Sequence, residues 1–214
     1  MSTISALAVP TEGTPNQVNG KVRAMPPARR KDTRPRKHIT PIEVSALLKA
    51  ARKSGRYHLR DEALVLLAYR HGLRASELVN LRWSVIDLRG QTIRICRAKG
   101  GMDTEHPLRS VELRLLGQLR REHPESEYVF LSERGTPMST SNFRKVLARL
   151  AKAAGPAIAI TVNPHALRHA CGFYLAGKGV DTRALSHYLG HRSLQSTERY
   201  TAQSAARFKD FWRD

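Results

Sequence analysis

The stretch LGHRSLQSTERYT, residues 189–201, sets a histidine just after a glycine and a tyrosine nine positions later. A phenol in that setting is either packing or a nucleophile. The side chains that could work with Tyr200 lie scattered along the chain: Arg74, Lys99, His165 and Arg168, together with His191. Such a set suits a phosphodiester. Attack by a phenol builds negative charge on the phosphoryl oxygens, and guanidinium forks, always charged and able to grip two oxygens, can neutralise it without a metal. A tyrosine ester formed in such an attack would keep the free energy of the phosphodiester. With an ordinary pKa of about 10, the phenol needs a base or cations beside it to react near neutral pH.

Taken singly, each of these residues is weak evidence, because arginines usually sit on surfaces, histidines cap helices and tyrosines pack. Spacing adds information. HALRH, residues 165–169, places His165 and Arg168 three apart on one helical face, where they can meet one small anion. Glu77 follows Arg74 by three residues and either aims its guanidinium or makes a plain surface ion pair. His165 and His169 are four apart, as are His187 and His191, a spacing that metal ligands also use. Ala166 stands where the HExxH pattern has glutamate, however, and no carboxylate or cysteine completes a ligand set. No metal and no cofactor are expected.

The elements that must position these groups are legible from capping and periodicity. Thr-Pro-Ile-Glu at Thr40 supplies an N-cap, a first-turn proline and a capping-box glutamate, predicting a helix to about Arg52. HLRDEALVLLAYRHG predicts a second helix with Ala63, Leu64, Leu67 and Ala68 on its buried face, stopped by Gly72. A short helix over Ser76 to Leu81 should follow. QTIRICRAK, residues 91–99, then meets Gly100-Gly101, a hairpin signal with Lys99 at the tip and a return strand near Thr104 to Leu108. Helices are expected near Ser110 to Glu122, Ser141 to Ala153, His165 to Ala176 and Thr182 to Leu189, with a short VFLS strand at Val129 to Ser132. Ser193 can cap a short segment carrying Tyr200. A last helix, about Ser204 to Arg213, carries Phe208, Phe211 and Trp212, which dock on their own domain or on a neighbouring protomer. The fold class is mostly α with a small antiparallel β-sheet.

Thirty-seven Lys and Arg against eighteen Asp and Glu give the 214 residues a formal net charge of +19. That excess attracts polyanions and makes nucleic acid the leading partner, although charge alone does not separate DNA from RNA or an anionic membrane. No apolar run approaches the roughly 18 residues that span a bilayer. MSTISALAVP lacks the basic start and long apolar run of a secretory signal. Cys96 and Cys171, without metal spacing or a disulfide framework, read as buried thiols of a reducing cytoplasm. Residues 1–37 hold five prolines, no aromatics, and eight Lys or Arg against two acids, the composition of a disordered basic arm. Such an arm either adds phosphate contacts or is a solvated tail.

GLRASEL at residues 72–78, Lys99 at a hairpin tip, HALRH and LGHRSLQSTERYT together resemble the tyrosine recombinase (phage integrase) family. LLAYRHGLRASEL, HPL at residues 106–108, NPHALRHACGFYLAGKGVDTR and YLGHRSLQSTERYTAQSAARF are similar in particular to its small fimbrial phase-variation recombinases. The likeness covers about residues 38–213. It implies a recombinase catalytic domain over residues 38–214 that cuts and rejoins double-stranded DNA through a 3′-phosphotyrosyl intermediate, as a tetramer on two sites. In that likeness Arg74 and Arg168 bind the non-bridging oxygens of the scissile phosphate and His191 donates a further hydrogen bond. Tyr200 is the nucleophile, His165 assists its proton transfer, Lys99 protonates the 5′-oxygen and Glu77 orients Arg74. Most of the family carries a separate core-binding domain before this one, whereas only the arm precedes Thr40 here, as in the fimbrial subgroup; DNA-bending accessory proteins are then a possible need. Two rivals share much of this pattern: a DNA-binding regulator that has lost catalysis, and a type IB topoisomerase.

Overall fold

Thr40 opens the first helix with a complete capping box. Its hydroxyl accepts from the Glu43 N–H at 3.3 Å, and the Glu43 carboxylate accepts from the Thr40 N–H at 2.7 Å. This computed structural model describes residue 36 and residues 38–97 and 102–201. Within them, eight helices surround a small sheet: α1 (Pro41–Arg52), α2 (His58–Arg70), α3 (Ala75–Val79), α4 (Ser110–Glu122), α5 (Thr140–Ala154), α6 (Pro164–Gly177), α7 (Thr182–Leu189) and α8 (Gln195–Thr201). The strands β1 (Ile86–Asp87), β2 (Thr92–Ile95) and β3 (Thr104–Pro107) form one antiparallel sheet in the order β1-β2-β3. The mostly helical fold class with a small antiparallel sheet is the one the sequence predicts. No described helix is long and apolar enough to cross a membrane.

The predicted apolar face of α2 is buried, and so is almost all of the rest of the helix: Leu59 through Ala68 are all inside. A helix buried all round is a central one, and the main core gathers on it from α1, α4, α5 and the sheet. Ile93 and Ile95 face this core from β2 while Arg94 points out, the alternation of a half-buried strand. Ile93 pairs with His106 and Ile95 with Thr104, which sets the register of the hairpin. Polar caps start the later helices: Ser139 accepts from Asn142, Asn163 from Ala166, and Asp181 from Arg183 and Ala184. Gly190, in the left-handed region at φ 62°, ends α7.

A second apolar cluster of Cys171, Ala176, Leu185, Leu189 and Tyr200 joins α6, α7 and α8. Gly72 meets this cluster from the end of α2. Its φ is 58°, and a Cβ there would collide with Leu189, so the turn before Arg74 needs glycine on both counts.

Three expectations are corrected. Val129 to Ser132 is not a strand but makes isolated bridges on its two sides, with Tyr128 opposite Arg82 and Leu131 opposite Pro137. Its residues Val129, Phe130 and Leu131 are buried, so the apolar run serves the core, and its partners are short loops that cannot extend a ladder. The helix near Ser76 to Leu81 is α3, which stops at Val79 because Leu81 turns away to accept the Val129 N–H at 2.9 Å. Cys96 is exposed just beyond β2, whereas Cys171 is buried, its thiol pushed up to about 12 by desolvation. The two-residue strand β1 has no counterpart among the expected elements. The aromatic helix near Ser204 to Arg213 and all of the basic arm but Arg36, which donates to the Glu43 carboxylate at 2.6 and 2.9 Å, lie outside the described residues.

Candidate active site

Arg74 caps α3 from an extended backbone, and Glu77 holds it twice, accepting from its N–H at 2.8 Å and from its guanidinium at 2.6 Å. The arginine keeps about a third of its side chain exposed (32%), while Glu77 is enclosed (3%). Burial alone would raise the Glu77 pKa, but the two Arg74 bonds and the charge of Arg97 outweigh it and hold the carboxyl below its usual range.

Arg168 comes from the middle of α6 and is 3% exposed. Its guanidinium donates to the carbonyls of Gly72 and Leu189, so it ties the turn before Arg74 to the end of α7. Two of its five N–H groups are spent in this way. Burial and the neighbouring Arg74 and Arg97 lower its pKa to about 10, which still leaves it charged near neutral pH.

The glycine turn then delivers His191, whose backbone N–H bonds Ser186 at 3.0 Å and whose Nδ1 lies 2.7 Å from the Thr197 hydroxyl. Ser193 accepts from Gln195 at 3.2 Å at the start of α8. Thr201 at the other end reaches Thr182 at 3.1 Å, which pins α8 to α7. Desolvation, then the charges of Arg168 and Arg199, push His191 down to about 4, so it is neutral near pH 7.

Tyr200 is 2% exposed and packs like a core residue, with Phe173 edge-on at 5.1 Å. Its ring lies flat on Gly172, where a Cβ would stand 2.8 Å from the phenol carbon. The hydroxyl is 2.8 Å from Nδ1 of His169. Burial raises the phenol's pKa, and Arg199 and Arg168 pull against that rise. His169 is pushed down to about 4 by burial and by His165, so its ring is neutral near pH 7. The His165 ring stands edge-on to it at 4.3 Å and is itself made less basic by burial and by Arg168, Arg199 and Arg74.

Of the residues singled out in the sequence, Arg74, Glu77, His165, Arg168, His191 and Tyr200 therefore converge on one region. Lys99 lies outside the described residues. Three further members of the region have no role assigned by the sequence reading: His169 at the Tyr200 hydroxyl, Thr197 at His191, and Arg97 at Glu77. His169 stands out in the sequence only by its four-residue spacing from His165. The contact that matters joins it to a residue 31 positions away, which no local pattern encodes. Among the described residues, no group of three or more His, Cys, Asp or Glu side chains is placed to hold a metal ion.

The sequence profile of the phage integrase family matches residues 37–207. The chain is 42% identical over 186 residues to the type 1 fimbriae regulatory protein FimB of Escherichia coli (strain K12), covering 85% of this chain and 92% of that one. It is 39% identical over 183 residues to FimE of the same strain, covering 83% and 91%. To the tyrosine recombinase XerD of Halalkalibacterium halodurans it is 32% identical, covering 82% of this chain and 60% of that protein. Among solved structures, XerA recombinase matches with a TM-score of 0.69 at 28% identity, covering 81% of this chain and 63% of that chain. XerH recombinase bound to its palindromic difH substrate matches in fold with a TM-score of 0.67 at 23% identity, covering 81% and 52%. This chain thus spans between half and two thirds of those solved recombinase chains. With a profile match over most of its length and relatives of this identity, the chain belongs to the phage integrase family, the tyrosine recombinases.

Proposed function

We propose that this protein is a site-specific DNA recombinase that cuts a strand with Tyr200, holds the end as a 3′-phosphotyrosyl ester and passes it to a new 5′-hydroxyl. The observation that carries the reading is the Tyr200 hydroxyl, 2.8 Å from a neutral histidine nitrogen and within the field of Arg168. In the cleavage step the Tyr200 oxygen bonds the phosphorus, the bond to the 5′-oxygen breaks, and the phenol proton moves to Nδ1 of His169. Lys99 gives a proton to the departing 5′-oxygen. Arg74 and Arg168 grip the non-bridging oxygens, whose charge grows on the way to the transition state. With Thr197 donating to its Nδ1, His191 carries its proton on Nε2 and can donate it to a third position on the phosphate. His165, edge-on to His169, passes the phenol proton outward. Run backwards with a different 5′-hydroxyl, the same steps rejoin the strand.

Likeness to two fimbriae regulatory proteins over most of their length, and to tyrosine recombinases, supports a recombinase that inverts or integrates a DNA segment. Four protomers on two sites, helped by DNA-bending proteins and working on cytoplasmic DNA, complete the reading. In that assembly the aromatic side chains Phe208, Phe211 and Trp212 join protomers. The excess of positive charge predicts binding that weakens steeply with salt, because each phosphate contact releases counterions.

The test is covalent capture from a nicked, randomised duplex library, with sequencing of the DNA left on the protein. Recovery of one sequence by the wild type and of none by Tyr200→Phe is the expected result, with DNA affinity unchanged in the variant. No adduct from the wild type would mark an inactive regulator. Adducts without a common sequence, with relaxation of any supercoiled DNA, would mark a topoisomerase.

A further inference from the structure

Arg97 leaves the end of β2 two residues before Lys99, and its side chain is completely enclosed, at 0% exposed. Its Nη1 bonds the Glu77 carboxylate at 3.0 Å, on the oxygen that also accepts the Arg74 backbone N–H. Its Nη2 donates to the carbonyl of Tyr188, and its own N–H bonds Asp103 at 2.9 Å across the base of the hairpin. Gly190 closes over the stem: a Cβ there would lie 2.6 Å from Nε and 2.7 Å from Cδ and Cγ. One residue thus joins α3 and the last turn of α7 through its guanidinium and the two sides of the hairpin through its backbone.

Stability alone is a poor reason for such a residue. Burying a charge costs desolvation that an ion pair at best offsets, and well-packed apolar side chains of similar volume are often as stable or more so. What a rigid planar fork supplies, and an apolar side chain does not, is fixed angles and distances between the groups it joins. Here those groups are Glu77, which holds Arg74, and Tyr188, which lies three residues before His191.

We propose that Arg97 is a positioning residue for strand cleavage: it locks Glu77, and through it Arg74, to the end of α7 that presents His191, so both meet the phosphate in one geometry. This rests on the reading of Arg74 and His191 as phosphate-facing groups. Neither group needs Arg97 in order to exist. Each needs it to stand at the right place relative to the other, and a displacement of about 1 Å in such a site can cost about 100-fold in rate.

The test uses the full chain, a nicked duplex carrying the captured sequence, and the same duplex with a methylphosphonate at the scissile position. The methyl group removes the negative charge that Arg74 meets, so a variant whose only fault is a misplaced Arg74 recovers on the methylphosphonate. A variant that is merely less folded loses equally on both. Arg97→Met should cut single-turnover cleavage of the phosphodiester by about 30- to 100-fold with DNA affinity unchanged, and lose much less on the methylphosphonate. Arg97→Lys keeps a cation beside Glu77 but cannot span to Tyr188, so it should fold and lose about 10-fold, with the same recovery. If Arg97→Met does not fold, the lysine variant decides. Equal losses on the two substrates, or cleavage by Arg97→Lys within about 3-fold of wild type, overturn the proposal. Arg74→Ala is the control: full cleavage by that variant removes the reading of the site itself, whatever Arg97 does.

Discussion

Two histidine clusters in this protein use the same side chain in opposite ways. In the first, His71 and His106 are each 1% exposed and every ring nitrogen has a partner. Thr104 bonds His106 at 3.0 Å, His106 bonds His71 at 3.1 Å, and His71 bonds Glu112 at 3.1 Å. One arrangement satisfies the whole chain, with protons pointing from Thr104 through His106 and His71 to the carboxylate. His106 also stacks on Tyr188 at 3.9 Å. In the second cluster His169 and His191 are half-buried and His165 is exposed. Among the described residues, each of the two half-buried rings has one bonded nitrogen, to the Tyr200 hydroxyl and to Thr197. A closed network rigidifies the join of α2, β3, α4 and α7, whereas rings with a nitrogen to spare can take or give a proton during a reaction. On the proposed function, the number of satisfied nitrogens, not the residue type, separates framework from chemistry.

The sharpest way to break this contrast is His169→Phe, which keeps a ring of similar size and removes the acceptor at Tyr200. Single-turnover cleavage should fall by about 100-fold, the usual scale for a positioned proton acceptor, with little change in melting temperature. Cleavage at the wild-type rate would place His169 with the framework. Next in size is His71→Leu, which strips partners from Glu112 and His106. It should cost about 2–3 kcal/mol in urea unfolding, yet leave the rate per folded molecule unchanged once DNA is bound. A rate loss as large as that of His169→Phe would erase the distinction from the other side.

The smallest effect concerns pH. Folding lowers His106 to about 3 and His169 and His191 to about 4, chiefly by desolvation, against about 6.5 in the unfolded chain. The unfolded state therefore binds protons that the folded state refuses. Stability from these three groups is complete above about pH 6.5 and is lost as pH falls towards 4. The urea midpoint should be flat above neutrality and decline below about 6.5, and His169→Phe should flatten that decline by up to one proton. A slope in the variant as steep as that of the wild type would mean that His169 titrates normally in the folded protein.

Several features of the architecture are legible in the sequence because they depend on neighbours in the chain. The Thr40 capping box and the glycine stop at Gly72 rest on contacts and backbone angles within a few residues. The VFLS run failed for the complementary reason: its apolar residues are buried as in a strand, but the ladder depends on what lies alongside, and short loops lie there. Cys96 reads as interior on the assumption that β2 continues, and it lies just beyond the last paired residue.

Residue order alone was enough for the helical class, most helix boundaries, the positive charge and the family, and it singled out Tyr200, Arg74, Arg168, His165 and His191 as a set. Tertiary structure decided which of these touch. It put His169 rather than His165 at the Tyr200 hydroxyl, spent two Arg168 donors on the backbone carbonyls of Gly72 and Leu189, and set the unremarked Arg97 between Glu77 and Tyr188. Those contacts join residues 20 to 96 positions apart. Capping and periodicity act over a single turn, so only the packed chain could choose the partners.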